Sequence, residues 1–303
     1  MKSTKQIIEI AWKKGIAVPA FNIPYLPMVR PVVEAVRDEN SFALVEVARL
    51  EWEKFQSQSL EAVREEFGRW DDKAHVRLHL DHVPVIDEDH LRVDYAGIIK
   101  RAITAGFQSV MVDGSRLSLD ENIRATGEAC VLAHASGLPC EAELGAVMGH
   151  ESGPMPPYDE IFASGKGFTR TDEAARFVRE TGCDWLSVAI GNIHGAISEA
   201  TRGQAKPHAR LDITHLKKLK EATGIPLVLH GGSGIQKECI MDAVQNGIVK
   251  INVGTEIRQA YERGLKEGGI EAGQRMVYES VREMISAFFE ISGSAAQILA
   301  AQN

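Results

Sequence analysis

Cysteine is scarce and unpatterned in this chain. The four, Cys130, Cys140, Cys183 and Cys239, share no CxxC spacing and stand among apolar or helix-spaced neighbours, which points to reduced thiols in a cytoplasmic protein rather than to a disulfide framework. Basic residues are outnumbered, 34 Lys and Arg against 42 Asp and Glu, for a net charge of −8. That balance excludes a broad electrostatic grip on nucleic acid or on an anionic membrane. No apolar run approaches the ~20 residues that would span a bilayer. The opening "MKSTKQIIEIAWKKG" is interrupted by Glu9 and closes on Lys13 and Lys14, so it reads as an amphipathic helix and not as a signal peptide. A Pro/Gly/Ser-rich linker is also missing, and residues 1–303 read as one domain.

What is present is a repeat of another kind. Eight short runs dense in apolar and β-branched residues follow one another: "IAVPAFN", "FALVEVA", "HVRLHLDH", "SVMVDGS", "CEAELG", "WLSVAIGN", "PLVLHGG" and "IVKINVGT". Between them lie segments with helical spacing. In "LDITHLKKLKEATG", Asp212 is a cap, Ile213, Leu216 and Leu219 form an apolar stripe, and Gly224 suits a left-handed stop. In "TRTDEAARFVRETG", Thr171 is the expected cap and Gly182 the stop. Near-continuous apolar strands alternating with helices require a parallel sheet covered on both sides, and eight such units in this length predict an α/β (β/α)8 TIM barrel. One segment, 148–168, is long and rich in Gly and Pro, and is expected to be a mobile active-site loop. The C-terminal "MISAFFEISGSAAQILA" reads as an amphipathic helix and a small-residue tail, fit to pack on the barrel or on a neighbouring subunit.

Barrel strands deliver chemistry from their C-terminal ends. The polar residues at those ends are Asn22, Glu46 and Arg49, Asp81 with His82, Asp113, Glu143, Asn192 with His194, His230, and Asn252 with Thr255. A lone strand-end histidine is as a rule a hydrogen-bonded structural residue. Three from three different strands, with Asp113 and Glu143 beside them, are the layout of a catalytic metal site with one position open to substrate. Asp81 has two readings: it orients a histidine, or it is the general base beside the cation. "HGGSG" (230–234) and "NVGT" (252–255) place glycine N–H groups and small hydroxyls at the ends of strands 7 and 8, where barrels commonly hold phosphate.

Together these residues resemble the class II, metal-dependent ketose-bisphosphate aldolases of the fructose- and tagatose-bisphosphate type. The likeness runs in order through "AFN", "LHLDH", "SVMVDGS", "EAELG", "AIGNIHG", "LVLHGGSGI" and "KINVGTEI". It implies a zinc-dependent lyase that cleaves a ketose 1-phosphate or 1,6-bisphosphate to dihydroxyacetone phosphate and an aldehyde. By this resemblance His82, His194 and His230 bind zinc, Asp81 transfers the proton, and Asp113 and Glu143 are alternate or second-site ligands, with room for a second divalent or a monovalent cation. Gly195, Gly231, Ser233, Asn252 and Thr255 hold the phosphate, and Asn22 lines the pocket. Glu151, on the 148–168 segment, assists proton transfer. Lys250 is not a Schiff-base nucleophile. A homodimer or homotetramer is the implied assembly.

Two departures stand out. After "NIHG" the family continues with a tyrosine and a lysine, where this chain has Ile197 and Ser198. After the second strand it has a serine in a small-residue turn, where this chain reads "EVARLEWEKF" and sets Arg49 near the mouth. A guanidinium there reads a distal anion on the substrate, a sulfonate or carboxylate as well as a phosphate. The competing readings are another metal-dependent barrel, hydrolase or epimerase, and a non-catalytic barrel subunit of an aldolase complex.

Overall fold

A computed structural model describes residues 1–145, 158–192 and 209–301. Each of the eight apolar runs becomes a strand: β1 (Val18–Asn22), β2 (Ala43–Ala48), β3 (Val76–Asp81), β4 (Ser109–Val112), β5 (Cys140–Leu144), β6 (Trp185–Val188), β7 (Leu227–Leu229) and β8 (Ile248–Val253). They pair in parallel in chain order, and β8 returns to β1 through Val18↔Lys250 and Ala20↔Asn252. The barrel is therefore closed, as the alternating pattern predicts. Nearly every strand residue is buried, because one face lines the interior and the other lies under the helical layer.

That layer comprises α2 (Val29–Asp38), α4 (Leu60–Trp70), α5 (Tyr95–Ala105), α6 (Leu119–Ala135), α8 (Thr171–Thr181), α9 (Ile213–Thr223), α10 (Lys237–Gln245) and α11 (Thr255–Glu283), the last broken at Gly268–Gly269. Short α3 (Arg49–Lys54) directly follows β2. Asp212 caps α9 by accepting from the His215 N–H, and Gly224 and Gly182 end their helices in the left-handed conformation. The Thr171 expectation fails. Arg170 is the residue before α8, and the hydroxyl that matters is Thr169, which donates to the Leu144 carbonyl and accepts from the Ala189 N–H at 2.8 Å. That hydroxyl ties the end of β5 to the end of β6. Of the segment 148–168, residues Tyr158–Ser164 form a helix, α7, and not open loop; its earlier part lies outside the described residues.

The N-terminal end of the barrel is plugged. Ser3 and Gln6 form a capping box on α1 (Thr4–Lys14), and its Ile7, Ile8 and Ala11 pack against Val18, Ala20, Leu44, Trp185 and Val228 from inside the strands. The C-terminal helix α12 (Ser294–Ala300) adds Ala295 and Ile298 to that cluster, so the tail closes its own barrel. No described helix is long and apolar enough to cross a membrane. Because Ile8 is fully buried in this plug, Ile8→Ala is expected to cost about 2–4 kcal/mol of stability. Chemical denaturation measures it; a loss under about 0.5 kcal/mol would show that α1 lies loosely on the barrel.

Candidate active site

The strands are staggered around the barrel, and the site residues meet across that stagger. Ala48 lies opposite Asp81, Ala20 opposite Asn252, and Asn22 one level above Ala20, so Asn22, Asp81 and Asn252 converge from β1, β3 and β8. Their contacts follow from that convergence. Asn22 Nδ2 donates to Asp81 Oδ2 at 3.1 Å and Asn252 Nδ2 to Asp81 Oδ1 at 3.0 Å. Burial opposes the charge on Asp81, yet His82 and Lys250 outweigh it and hold the carboxyl far below the ordinary carboxylate range.

His82 has φ of 25°, a left-handed conformation that costs a β-carbon-bearing residue about 1–3 kcal/mol and persists only where the surroundings enforce it. Its ring stands 4.5 Å, centroid to centroid, from that of His230. Asp113 Oδ2 is 3.5 Å from His82 Nδ1, while Glu143 Oε2 is 3.9 Å from His82 Nε2 and 3.1 Å from His230 Nδ1. Asp81, His82 and His230 each offer a donor atom within 4.8 Å of the others. Two of the three expected histidine ligands thus meet beside Asp81, with Asp113 and Glu143 around them. His194, Gly195 and Glu151 lie outside the described residues, as do Ile197 and Ser198.

One atom bears directly on a cation. His230 Nε2 faces Glu141 Oε1 at 2.9 Å, and a carboxylate there can only accept, so the proton sits on Nε2. Nδ1 is buried and completes no aligned hydrogen bond, with Glu143 Oε2 only 3.1 Å away; an imidazole backed by one carboxylate and facing a second across a short gap is the arrangement of two groups that share one cation. The donor set fits a divalent cation such as zinc.

Several residues take roles that the strand-end rule does not reveal. Glu46 is not at the mouth: it lies beside His79 in the register, wholly buried beneath Asp81. Asn192 is structural, its Nδ2 donating to the His230 carbonyl at 2.8 Å and its Oδ1 accepting from the Ile190 N–H at 2.8 Å. Gly191 enables that turn, with φ of 111° and a space in which an added β-carbon would meet the Arg210 carbonyl at 2.4 Å. Glu51, on α3, accepts from the Ala48 N–H at 2.8 Å, and burial pushes its carboxyl up to about 8. Arg49 is engaged, 2.9 Å from Glu53 and 3.4 Å from Asp87, with its side chain 18% exposed. At the ends of β7 and β8, Gly231 has φ of 65°, and α11 starts at Thr255 behind Gly254, which has no side chain to cap it.

Comparison with known proteins agrees with this architecture. The family model described as "Fructose-bisphosphate aldolase class-II" matches residues 2–301. A fructose-bisphosphate aldolase of Geobacillus stearothermophilus is 32% identical over 268 residues, covering 88% of this chain and 84% of that one. The "Uncharacterized protein YdjI" of Escherichia coli K12 is 34% identical over 293 residues, 94% of each chain. The X-ray crystal structure of the YdjI aldolase from Escherichia coli K12 superposes with a TM-score of 0.76 at 29% identity, over 97% of this chain and 100% of that one. A match across almost the whole length, on a closed eight-stranded barrel, sets aside the hydrolase and epimerase readings: the chain belongs to the class II fructose-bisphosphate aldolase family, a family of lyases.

Proposed function

We propose that the chain cleaves a ketose 1-phosphate or 1,6-bisphosphate of the fructose or tagatose type, reversibly, to dihydroxyacetone phosphate and an aldehyde. The observation that carries this reading is the surroundings of Asp81: a buried carboxylate held by two amides, next to two imidazoles, with His230 Nδ1 facing Glu143 at 3.1 Å without an aligned hydrogen bond. In this reading His82 and His230, joined by His194, hold zinc, while Asp113 and Glu143 serve as alternate ligands or bind a second cation. When bound, zinc supplies a Lewis acid for the carbonyl at carbon 2.

The remaining chemistry falls to side chains. Asp81 accepts the proton of the carbon 4 hydroxyl as the bond between carbons 3 and 4 breaks. The electron pair of that bond stays on the three-carbon phosphate fragment, whose carbon 3 then takes up a proton, with Glu151 as the proposed donor. Asn22 and Asn252 keep the Asp81 carboxylate aimed by donating to both its oxygens. Gly195, Gly231, Ser233, Asn252 and Thr255 receive the phosphate, supported by the left-handed turn at Gly231 and the positive end of the α11 dipole. The subunits assemble as a homodimer or homotetramer.

Asp81→Asn is expected to lower kcat by about 10²–10⁴ with bound zinc unchanged; normal turnover in that variant would end this reading. A chelator is expected to abolish dihydroxyacetone phosphate release from a panel of ketose phosphates, and added zinc to restore it. Activity indifferent to chelation would remove the metal from the mechanism.

A second reading concerns the far end of the substrate. One guanidinium, Arg49, faces two carboxylates, Glu53 and Asp87, so the β2 side of the mouth is acidic. An acidic rim disfavours a second phosphate dianion and favours a distal group of lower charge, a carboxylate or a sulfonate, received by Arg49 in exchange for one of its partners. The expected result is a kcat/KM for fructose 1,6-bisphosphate at least tenfold below that for a ketose 1-phosphate ending in such a group, a gap that Arg49→Ala narrows. Ordinary aldolase efficiency on fructose 1,6-bisphosphate, insensitive to Arg49→Ala, would exclude it.

A further inference from the structure

Beneath the candidate site the barrel interior is charged. Barrel interiors are filled mainly by Val, Ile and Leu, but here Glu46, His79, Glu141 and Lys250 all have zero exposure. The Lys250 ammonium stands 3.1 Å from Glu46 Oε2, 3.1 Å from Glu141 Oε2 and 3.7 Å from Asp81 Oδ1, and donates to Asn252 Oδ1 at 2.7 Å. Burying such a group is expensive, and replacing a buried ion pair with well-packed apolar residues is often neutral or stabilising. Stability alone is therefore a poor account of it.

We propose that Lys250 is a positioning residue that fixes both halves of the site at once, the Asp81 carboxylate and, through Glu141, the His230 ring. The inference rests on the aldolase reading of that site. Two chains of contact carry it. An ammonium can only donate, so it draws the oxygen of the Asn252 amide and thereby turns Nδ2 toward Asp81, which it meets at 3.0 Å. The ammonium also holds Glu141, whose Oε2 accepts from Trp185 Nε1 at 2.6 Å and whose Oε1 receives His230 Nε2 at 2.9 Å. The anchored carboxylate holds the proton on Nε2 and so turns Nδ1 of His230 toward Glu143 Oε2, 3.1 Å away. Glu46 differs from the other two acids. Neither of its oxygens completes an aligned hydrogen bond, and burial followed by the Asp81 charge pushes its carboxyl well above the ordinary range. The ammonium stands near all three acids, but the bonds it donates go to Glu141 and Asn252. Lys250 itself is no nucleophile: burial works against its charge, but the acids around it, Glu141 first, outweigh it and hold the amine protonated.

The test is Lys250→Met, which keeps the apolar stem and deletes the charge. Zinc affinity is measured by competition with a chromophoric chelator, and kcat and KM are measured separately on a ketose phosphate that the parent turns over. The expected result is a zinc dissociation constant raised about tenfold or more, and a kcat lowered a hundredfold or more with KM within threefold. A folded variant that binds zinc within threefold of the parent overturns the proposal, and so does a loss of efficiency that appears wholly in KM. The zinc measurement needs no turnover, so a parent without aldol activity would defeat the functional reading while still deciding the role of Lys250. Should Lys250→Met fail to fold, the double variant K250M/E46Q, which also turns the least-supported carboxyl into an amide, is read by the same two measurements and the same limits.

Discussion

One ammonium surrounded by carboxyl groups in a sealed barrel is the constraint on which the rest of this structure depends. Lys250 on β8 reaches Glu46 on β2, Asp81 on β3 and Glu141 on β5, and every one of these groups has been taken out of water. In such a medium, charge must be matched by opposite charge or neutralised by a proton. The chain does both. Asp81 and Glu141 have amide, indole, imidazole and ammonium donors, whereas Glu46 is driven toward its neutral form. The interior layer is thus a rigid electrostatic base on which the mouth is built.

From that base the site rises by one level of the strand pleat. Successive side chains on a strand alternate faces, so inward residues recur every second position. Lys250 and Asn252, His79 and Asp81, Glu141 and Glu143 are such pairs. The lower member of each is structural and the upper member faces the candidate chemistry. The His82 ring does not follow this alternation. It comes one residue after Asp81, and the left-handed backbone at that position turns the chain so that the ring meets His230, Asp113 and Glu143. A local conformational cost is accepted where two neighbouring side chains must both serve one pocket.

The two sides of the mouth differ in charge, and the difference bears on substrate choice. The β7 and β8 ends present a glycine turn and an uncapped helix start, a surface for an anion. The β2 end carries α3, where Arg49 is occupied by Glu53 and Asp87 and the Glu51 carboxyl satisfies the Ala48 N–H. One end therefore offers backbone donors, and the other has already used its cation.

The barrel itself was legible in the chain. Apolar runs such as 76–81 and 248–253 alternate with capped helices, and burial on both faces leaves such runs no other regular partner than a parallel sheet. The places of His82, His230, the acid before His82 and the turn at Gly231 were legible for the same reason, since they interrupt apolar runs at the end where barrels place chemistry. Local spacing could not say that Glu46 lies below the mouth, that Asn192 braces the His230 carbonyl, or that Arg49 is taken by Asp87. Nor could it single out Lys250, since a lysine within a strand acquires meaning only from what faces it. These are matters of register and closure, set when residues more than a hundred positions apart, such as Glu141 and Lys250, meet across the interior. Sequence determines the period of burial and the inventory of reactive groups; only the closed barrel decides which of those groups share a dielectric, and hence which charges must answer one another.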